Sequence, residues 1–114
     1  MNVQTLTAIP EFSMLIEGDM NREINTPYCC DLLSIAMSKA PANAAWVTIM
    51  GNINTIAVIT LIDASCLILA EGAKLDGPAL ERAKKERITV FITELPIFEA
   101  ALLVYQKVHD FNPI

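Results

Sequence analysis

The stretch from Trp46 to Ala70, "WVTIMGNINTIAVITLIDASCLILA", constrains this chain more than any other, because it carries a single charged residue, Asp63. Such a run has two homes. It can cross a bilayer, which takes about 20 mostly apolar residues, or it can lie inside a domain. Gly51, Asn52, Asn54 and Asp63 interrupt it, and no Lys or Arg cluster marks a membrane boundary. Strands of a parallel sheet covered on both faces read as nearly continuous apolar sequence. The run is therefore expected as strand, helix and strand in a protein interior, with no membrane contact.

The punctuation inside the run sets the elements. "AAWVTIM" reads as a strand stopped by Gly51 and Asn52. "NTIAVITLIDA" is ambiguous, since its β-branched residues favour a strand and a Gly-Asn turn could make a hairpin. It does not alternate, however. Thr55, Thr60 and Asp63 fall within an arc of about 140° at helical spacing, so a helix capped by Asn54 is expected. "SCLILAEG" is a buried strand ending at Gly72.

The flanks continue the alternation. Asp76 caps a helix with Pro78 in its first turn, and Ala79, Leu80 and Ala83 face inward. Ile88–Thr93 is a strand. Thr93 is expected to cap a last helix whose inward stripe is Phe98, Ala101, Leu102 and Tyr105, widened by Ile97, Val104 and Val108. Upstream, Ser13–Asp19 reads as a short strand, and Asn21–Tyr28 as loop or edge strand broken by Pro27. A helix capped by Cys30 or Asp31 follows, with Leu32, Leu33, Ala36, Met37 and Ala40 on one face and Pro41 ending it. Residues 1–12 are expected as a loosely held arm, 13–109 as one domain and 110–114 as a tail. Strands alternating with helices imply an α/β fold, a three-layer sandwich with a mostly parallel sheet and helices on both faces. Ligands in such sheets bind outside the carboxyl ends of the strands. Those ends are Gly51, Asn52 and Asn54, then Glu71 and Gly72, then Thr93 and Glu94.

Composition narrows the partners. The chain is 54% hydrophobic with 18% charged residues, which suits a folded domain and leaves apolar surface for an oligomer, most simply a homodimer. Thirteen acidic residues outnumber eight basic ones, and Glu81 and Glu86 dilute the densest basic run, Arg82 to Arg87. Nucleic acid is not an expected partner, since a phosphate backbone needs several basic contacts on one surface. The N-terminus lacks the basic start and apolar core of a secretory signal, and three cysteines among mostly apolar neighbours fit a reducing cytoplasm.

Catalytic sets are sparse. Cys29, Cys30, Cys66 and His109 include no C-x-x-C pair, so no metal site is expected. A low-pKa thiol at a helix start is physically reasonable, but Asp31 beside Cys29 and Cys30 opposes it. The two cysteines are expected as small residues at a tight strand-to-helix junction. The four glycines form no G-x-G-x-x-G or P-loop pattern, and no cofactor is expected. Glu71 and Glu94 could share a cleft as paired carboxylates, although exposed loop acids seldom do acid-base work. Trp46 is expected to cover a sheet edge or a dimer contact. Met14, Met20, Met37 and Met50 are expected mostly as core filling.

The order "YCCDLLSIAM", "AWVTIMGNINTIAVITLIDASCLILAEG", "ITVFITELPIFEAALLVY" resembles the DRTGG domain, over roughly Leu15 to Tyr105. It is similar to the small stand-alone members in anaerobic bacteria whose genes lie near iron hydrogenase components. The segment that names the family is absent. Relatives usually have a glycine where Cys30 stands, and a polar residue, often His, where Asn52 stands, followed by an Asn matching Asn54. DRTGG domains occur attached to phosphotransacetylases and inserted in CBS-domain pyrophosphatases. The resemblance implies a three-layer α/β fold and a dimeric accessory module with no settled activity of its own. The expected function is therefore a non-catalytic regulatory module that dimerises and senses a small ligand or docks onto a partner enzyme, with a hydrogenase-related enzyme the partner that the resemblance implies. The alternative is a small enzyme dependent on Cys29 or Cys30, or on Glu71 and Glu94.

Overall fold

A computed structural model describes residues 1–111. The apolar run folds into β3 (Ala44–Thr48), α2 (Ile53–Ile62) and β4 (Cys66–Leu69), so the ambiguous middle segment is a helix. With only ten residues α2 is far too short to span a bilayer, and among the described residues no helix is long and apolar enough to do so. Around this unit stand β1 (Ser13–Ile16), β2 (Thr26–Cys29), α1 (Leu33–Lys39), α3 (Gly77–Lys85), β5 (Val90–Ile92) and α4 (Ile97–Phe111). The sheet order is β1-β5-β4-β3-β2. Strands β2 to β5 are parallel, and β1 pairs antiparallel with β5 across a bulge between Met14 and Ile16.

The sheet is thus mixed α/β and mostly parallel. Its strand feeding α1 is β2, the segment around Pro27, and the earlier strand β1 is an antiparallel edge. Pro27 lacks a ladder donor, which is tolerated because β2 is the opposite edge.

Alternate strand residues enter two cores. Ala45, Val47, Cys66 and Ile68 pack with Val3, Leu6, Val104 and Val108. Trp46, Leu67 and Leu69 pack with Ala36, Ile56, Ile59, Ala79 and Ala83 from α1, α2 and α3. Parallel strands β2 to β5 stand in chain order. Their crossovers therefore all step the same way, which puts α1, α2 and α3 together on one side.

Four expectations need correction. Residues 1–12 are not loosely held. Val3–Ala8 forms a 3₁₀ helix, Val3, Leu6, Ile9 and Phe12 are buried, and Val3 and Gln4 donate to the carbonyls of Arg22 and Met20 at 2.9 Å each. A spacing of three matches the three residues per turn of such a helix. Trp46 covers no edge: it is 0% exposed, and its indole donates to the Cys30 carbonyl at 2.9 Å. α1 is short and buries Ala36, while Leu32 and Met37 are 57% and 51% exposed, and Met14 is exposed as well. In α4, Ala100, Ala101, Val104 and Val108 face the core, whereas Phe98, Leu102 and Tyr105 face outward. Of the expected tail, Asp110 and Phe111 continue α4, and residues 112–114 lie outside the described residues.

Candidate functional site

Three loops meet at the carboxyl ends of β3, β4 and β5. The first runs from Ile49 to Asn52. Asp31 holds it from the side, with one carboxylate oxygen accepting from Thr48 Oγ1 at 2.6 Å and from the Ile49 amide at 3.1 Å. Thr48 is itself buried, and its hydroxyl oxygen accepts from the Met50 amide at 3.2 Å. Asp31 therefore braces the β3–α2 loop. The cap residue of α1 is Leu32, which makes no side-chain cap bond.

Asn52, and not Asn54, caps α2. Its side chain accepts from the Thr55 amide at 3.1 Å, and Asn54 sits exposed in the first turn. Both asparagines follow the strand end, and the sequence offers no local reason to prefer one. Asn52→Ala is therefore expected to cost about 1 kcal/mol, and Asn54→Ala to stay within about 0.5 kcal/mol of the parent. Urea unfolding of the two variants checks this.

The second loop links β4 to α3. Glu71 and Gly72 both have positive φ, 57° and 72°, in a tight turn closed by the Ala73 amide on the Ala70 carbonyl at 3.0 Å. Glycine suits that geometry, whereas Glu71 is held in it. The loop is stitched to its neighbours by backbone. Glu71 donates to Leu95 O at 2.9 Å, Gly72 to Thr93 O at 3.0 Å, and Asp76 to Gly51 O at 2.9 Å. A Cβ on Gly51 would sit 2.0 Å from Lys74 O, so only glycine lets the two loops touch. Asp76 caps α3 as expected, accepting from the Ala79 amide at 2.9 Å.

The third loop follows β5. Thr93 does not cap α4, which begins four residues later. Its hydroxyl oxygen accepts from the Leu95 amide at 3.2 Å and fixes the turn. Gly72, Thr93 and Glu94 line a cleft of about 160 Å³ with Lys74, and with Glu11 and Ser13 from the β1 side. Gly51, Asn52 and Asn54 lie on the other side of the 71–76 loop and do not line it. The expected site residues thus divide in two around a shared strut. Asp31, Lys74, Glu11 and Ser13 escape sequence reasoning. Only Asp31, an acid two residues after the end of an edge strand, carries a local signal.

The cleft is small. Pockets for drug-sized ligands run to about 300–1,000 Å³, so this one has room only for a small group or for part of a larger molecule. Parallel strands in chain order lack the reversal point that opens a crevice in doubly wound sheets.

The other candidates are placed as follows. Cys29 is exposed, and its thiol pKa is raised, first by burial of the sulfur and then by the Asp31 charge. A nucleophilic thiol needs the opposite shift. Cys30 is half-buried, with its sulfur 3.2 Å from Leu32 O. Cys66 is buried and its thiol is pushed up to about 12 by burial, against a smaller pull from Arg22. No cluster of three or more metal-ligating side chains occurs among the described residues. A second cavity, about 190 Å³, lies at the opposite ends of the strands between Arg22, Asp63, Ser65 and Arg87. There Arg22 is already occupied by Asp63 at 2.8 Å, by the Asp63 carbonyl and by Asn43.

No family model and no curated protein matches this chain. Its fold is similar to that in the crystal structure of the CBS and DRTGG domains of the regulatory region of Clostridium perfringens pyrophosphatase, complexed with the activator diadenosine tetraphosphate. The TM-score is 0.63 at 18% identity, over 90% of this chain and 45% of that one. The chain thus spans less than half the length of that structure, and the likeness is one of fold. It agrees with the DRTGG-like, mostly parallel α/β architecture expected from the order of motifs.

Proposed function

We propose that this chain is a non-catalytic regulatory module, a three-layer domain over residues 13–109 with residues 1–12 folded onto it. It recognises a small ligand at the loops bearing Gly51, Asn52, Asn54, Glu71, Gly72, Thr93 and Glu94. The observation that carries this reading is the backbone bracing of those loops. The amides of Glu71, Gly72 and Asp76 are spent on neighbouring loops, and two glycines permit the close approach. Such bracing preorganises a recognition surface and lowers the ordering cost of binding. The likeness of fold to a regulatory region complexed with a dinucleotide activator supports a nucleotide as the first class to test. A cleft of about 160 Å³ lined by Glu11, Glu94 and Lys74 would hold a sugar edge of such a molecule, with the carboxylates accepting from its hydroxyls and Lys74 as the nearby cation. The module would act in the cytoplasm as a homodimer, and through the family resemblance a hydrogenase-related enzyme is the partner we propose for it.

The test is thermal unfolding with diadenosine tetraphosphate, AMP, ATP and inorganic phosphate. One of the nucleotides is expected to raise the melting temperature, since ligand at about 100 times Kd adds about 2.7 kcal/mol. Asn54→Ala should weaken that rise without changing the melting temperature of the free protein. A null result with all four probes, or a rise unaffected by Asn54→Ala and Lys74→Ala, would contradict the assignment.

The thiol-dependent alternative makes a separate demand: Cys29 or Cys30 would have to titrate well below about 8.5. The direction of the Cys29 shift weighs against it.

A further inference from the structure

The second cavity, about 190 Å³ at the amino ends of the strands, has most of its charges already matched. Arg22 pairs with Asp63 at 2.8 Å, and Glu86 pairs with Arg82 at 2.6 Å. Two lining charges are left, Asp19 and Arg87, and neither has an ion-pair partner among the described residues. The same two residues also line a wider, open cleft of about 540 Å³. The unmatched pair therefore stands where the cavity meets that cleft.

Arg87 is out of place as a structural residue. It follows the cap of α3 with a left-handed φ of 56°. Glycine is the usual residue there, because a side chain costs free energy in that conformation. An arginine held at a glycine position is an outlier that ending the helix does not require, and such outliers gather at binding sites. The rest of the field is negative. The last turn of α2 and the end of α3 both reach the cavity, and the carboxyl ends of helices carry partial negative charge. Asp19, Asp63 and Glu86 line it against two guanidiniums, so a bare anion such as phosphate meets net repulsion. Ile59, Ala64 and Ile88 supply an apolar wall.

We propose that this cavity binds a small zwitterion, an α-amino acid with a short apolar side chain. Its carboxylate accepts from the Arg87 fork, which donates two parallel N–H groups to such a partner. Its ammonium lies towards Asp19 and the α2 end, and its side chain against Ile59, Ala64 and Ile88. The volume suits this class. A cavity of about 150 Å³ holds benzene, and 190 Å³ adds room for a polar head. The site lies at the opposite end of the sheet from the nucleotide loops, so the two readings are tested separately.

Backbone-amide NMR of the full chain titrated with L-alanine and L-valine tests this, with acetate, methylamine and inorganic phosphate as part-ligands. An amino acid is expected to shift the amides of Asp19, Ser65 and Arg87 with a Kd of about 1 mM or tighter. Each part-ligand should bind at least about tenfold more weakly, since it lacks one charged contact. Arg87→Gly is expected to raise the melting temperature by relieving the left-handed backbone, and to weaken amino-acid binding at least about tenfold. A variant more stable than the parent cannot have lost its ligand by unfolding. Arg87→Gln, which keeps a side chain at the position, and Asp19→Asn should each lose comparable affinity at an unchanged melting temperature. No shifts with either amino acid would overturn the inference. So would acetate, methylamine or phosphate binding as tightly as alanine, or amino-acid binding that survives Arg87→Gly and Arg87→Gln.

Discussion

Trp46→Ala is expected to cost about 3–5 kcal/mol, the range for removing a fully buried aromatic side chain. Domains of this size hold about 5–15 kcal/mol in total, so the variant would sit near the edge of folding. The cost has two parts. The indole fills the core between β3 and the helices α1 to α3, and its loss leaves a cavity there. Its N–H also satisfies the Cys30 carbonyl at 2.9 Å, and that bond joins the β2–α1 corner to the sheet. Trp46→Phe separates the parts, since it restores most of the volume and loses the donor. It is expected to recover more than half of the loss. Trp46 is the only tryptophan, so unfolding must be followed by circular dichroism. A cost under about 1 kcal/mol for Trp46→Ala would mean that the apolar run is not packed as described.

The second large effect concerns pH. Cys66 is buried and its thiol is pushed up to about 12, whereas an unfolded cysteine ionises near 8.5–9. Above that lower value the unfolded chain releases a proton that the folded chain keeps. The stabilisation is therefore complete below about pH 9 and is lost as pH rises towards 12, at about 1.4 kcal/mol per pH unit. Other groups titrate in the same window, so the comparison with Cys66→Ala isolates the thiol. Between pH 9 and 11 the parent is expected to lose about 2–3 kcal/mol more stability than the variant. Parallel pH profiles would show that Cys66 is open to water.

Much of this fold is legible in the sequence, for reasons that differ by segment. The Trp46–Ala70 run could be read because a single charge in so long a stretch points to an interior, and its middle is the helix α2 as expected. The face expected from Thr55, Thr60 and Asp63 is not the exposed one, however: Thr55 is buried, Asp63 caps the end of the helix, and Leu61 is exposed. β2 was obscured by Pro27, whose missing donor matters only in a central strand. α4 shows a different limit. Apolar residues cover more than one face of that helix, so periodicity gives a period without a unique inward direction. The stripe with the largest side chains is the one left outside, and the core is filled by Ala100, Ala101, Val104 and Val108. The N-terminal segment carried a readable signal in Val3, Leu6, Ile9 and Phe12, but at a spacing of three, which α-helical or strand templates pass over.

The candidate site was legible only in part. Gly51, Gly72 and Thr93 mark strand ends and do lie where the loops converge. That Gly51 touches the 71–76 loop, and that Asp31 reaches Thr48 across the sheet, depends on long-range pairing that no local pattern encodes.

Backbone-amide NMR of the full chain, titrated with whichever nucleotide raises the melting temperature most, tests the central claim directly. Shifts are expected at residues 51–54, 71–76 and 93–96, with the nucleotide recovered unchanged after long incubation. Shifts centred instead on Arg22, Asp63 and Arg87, or conversion of the nucleotide to product, would contradict the account.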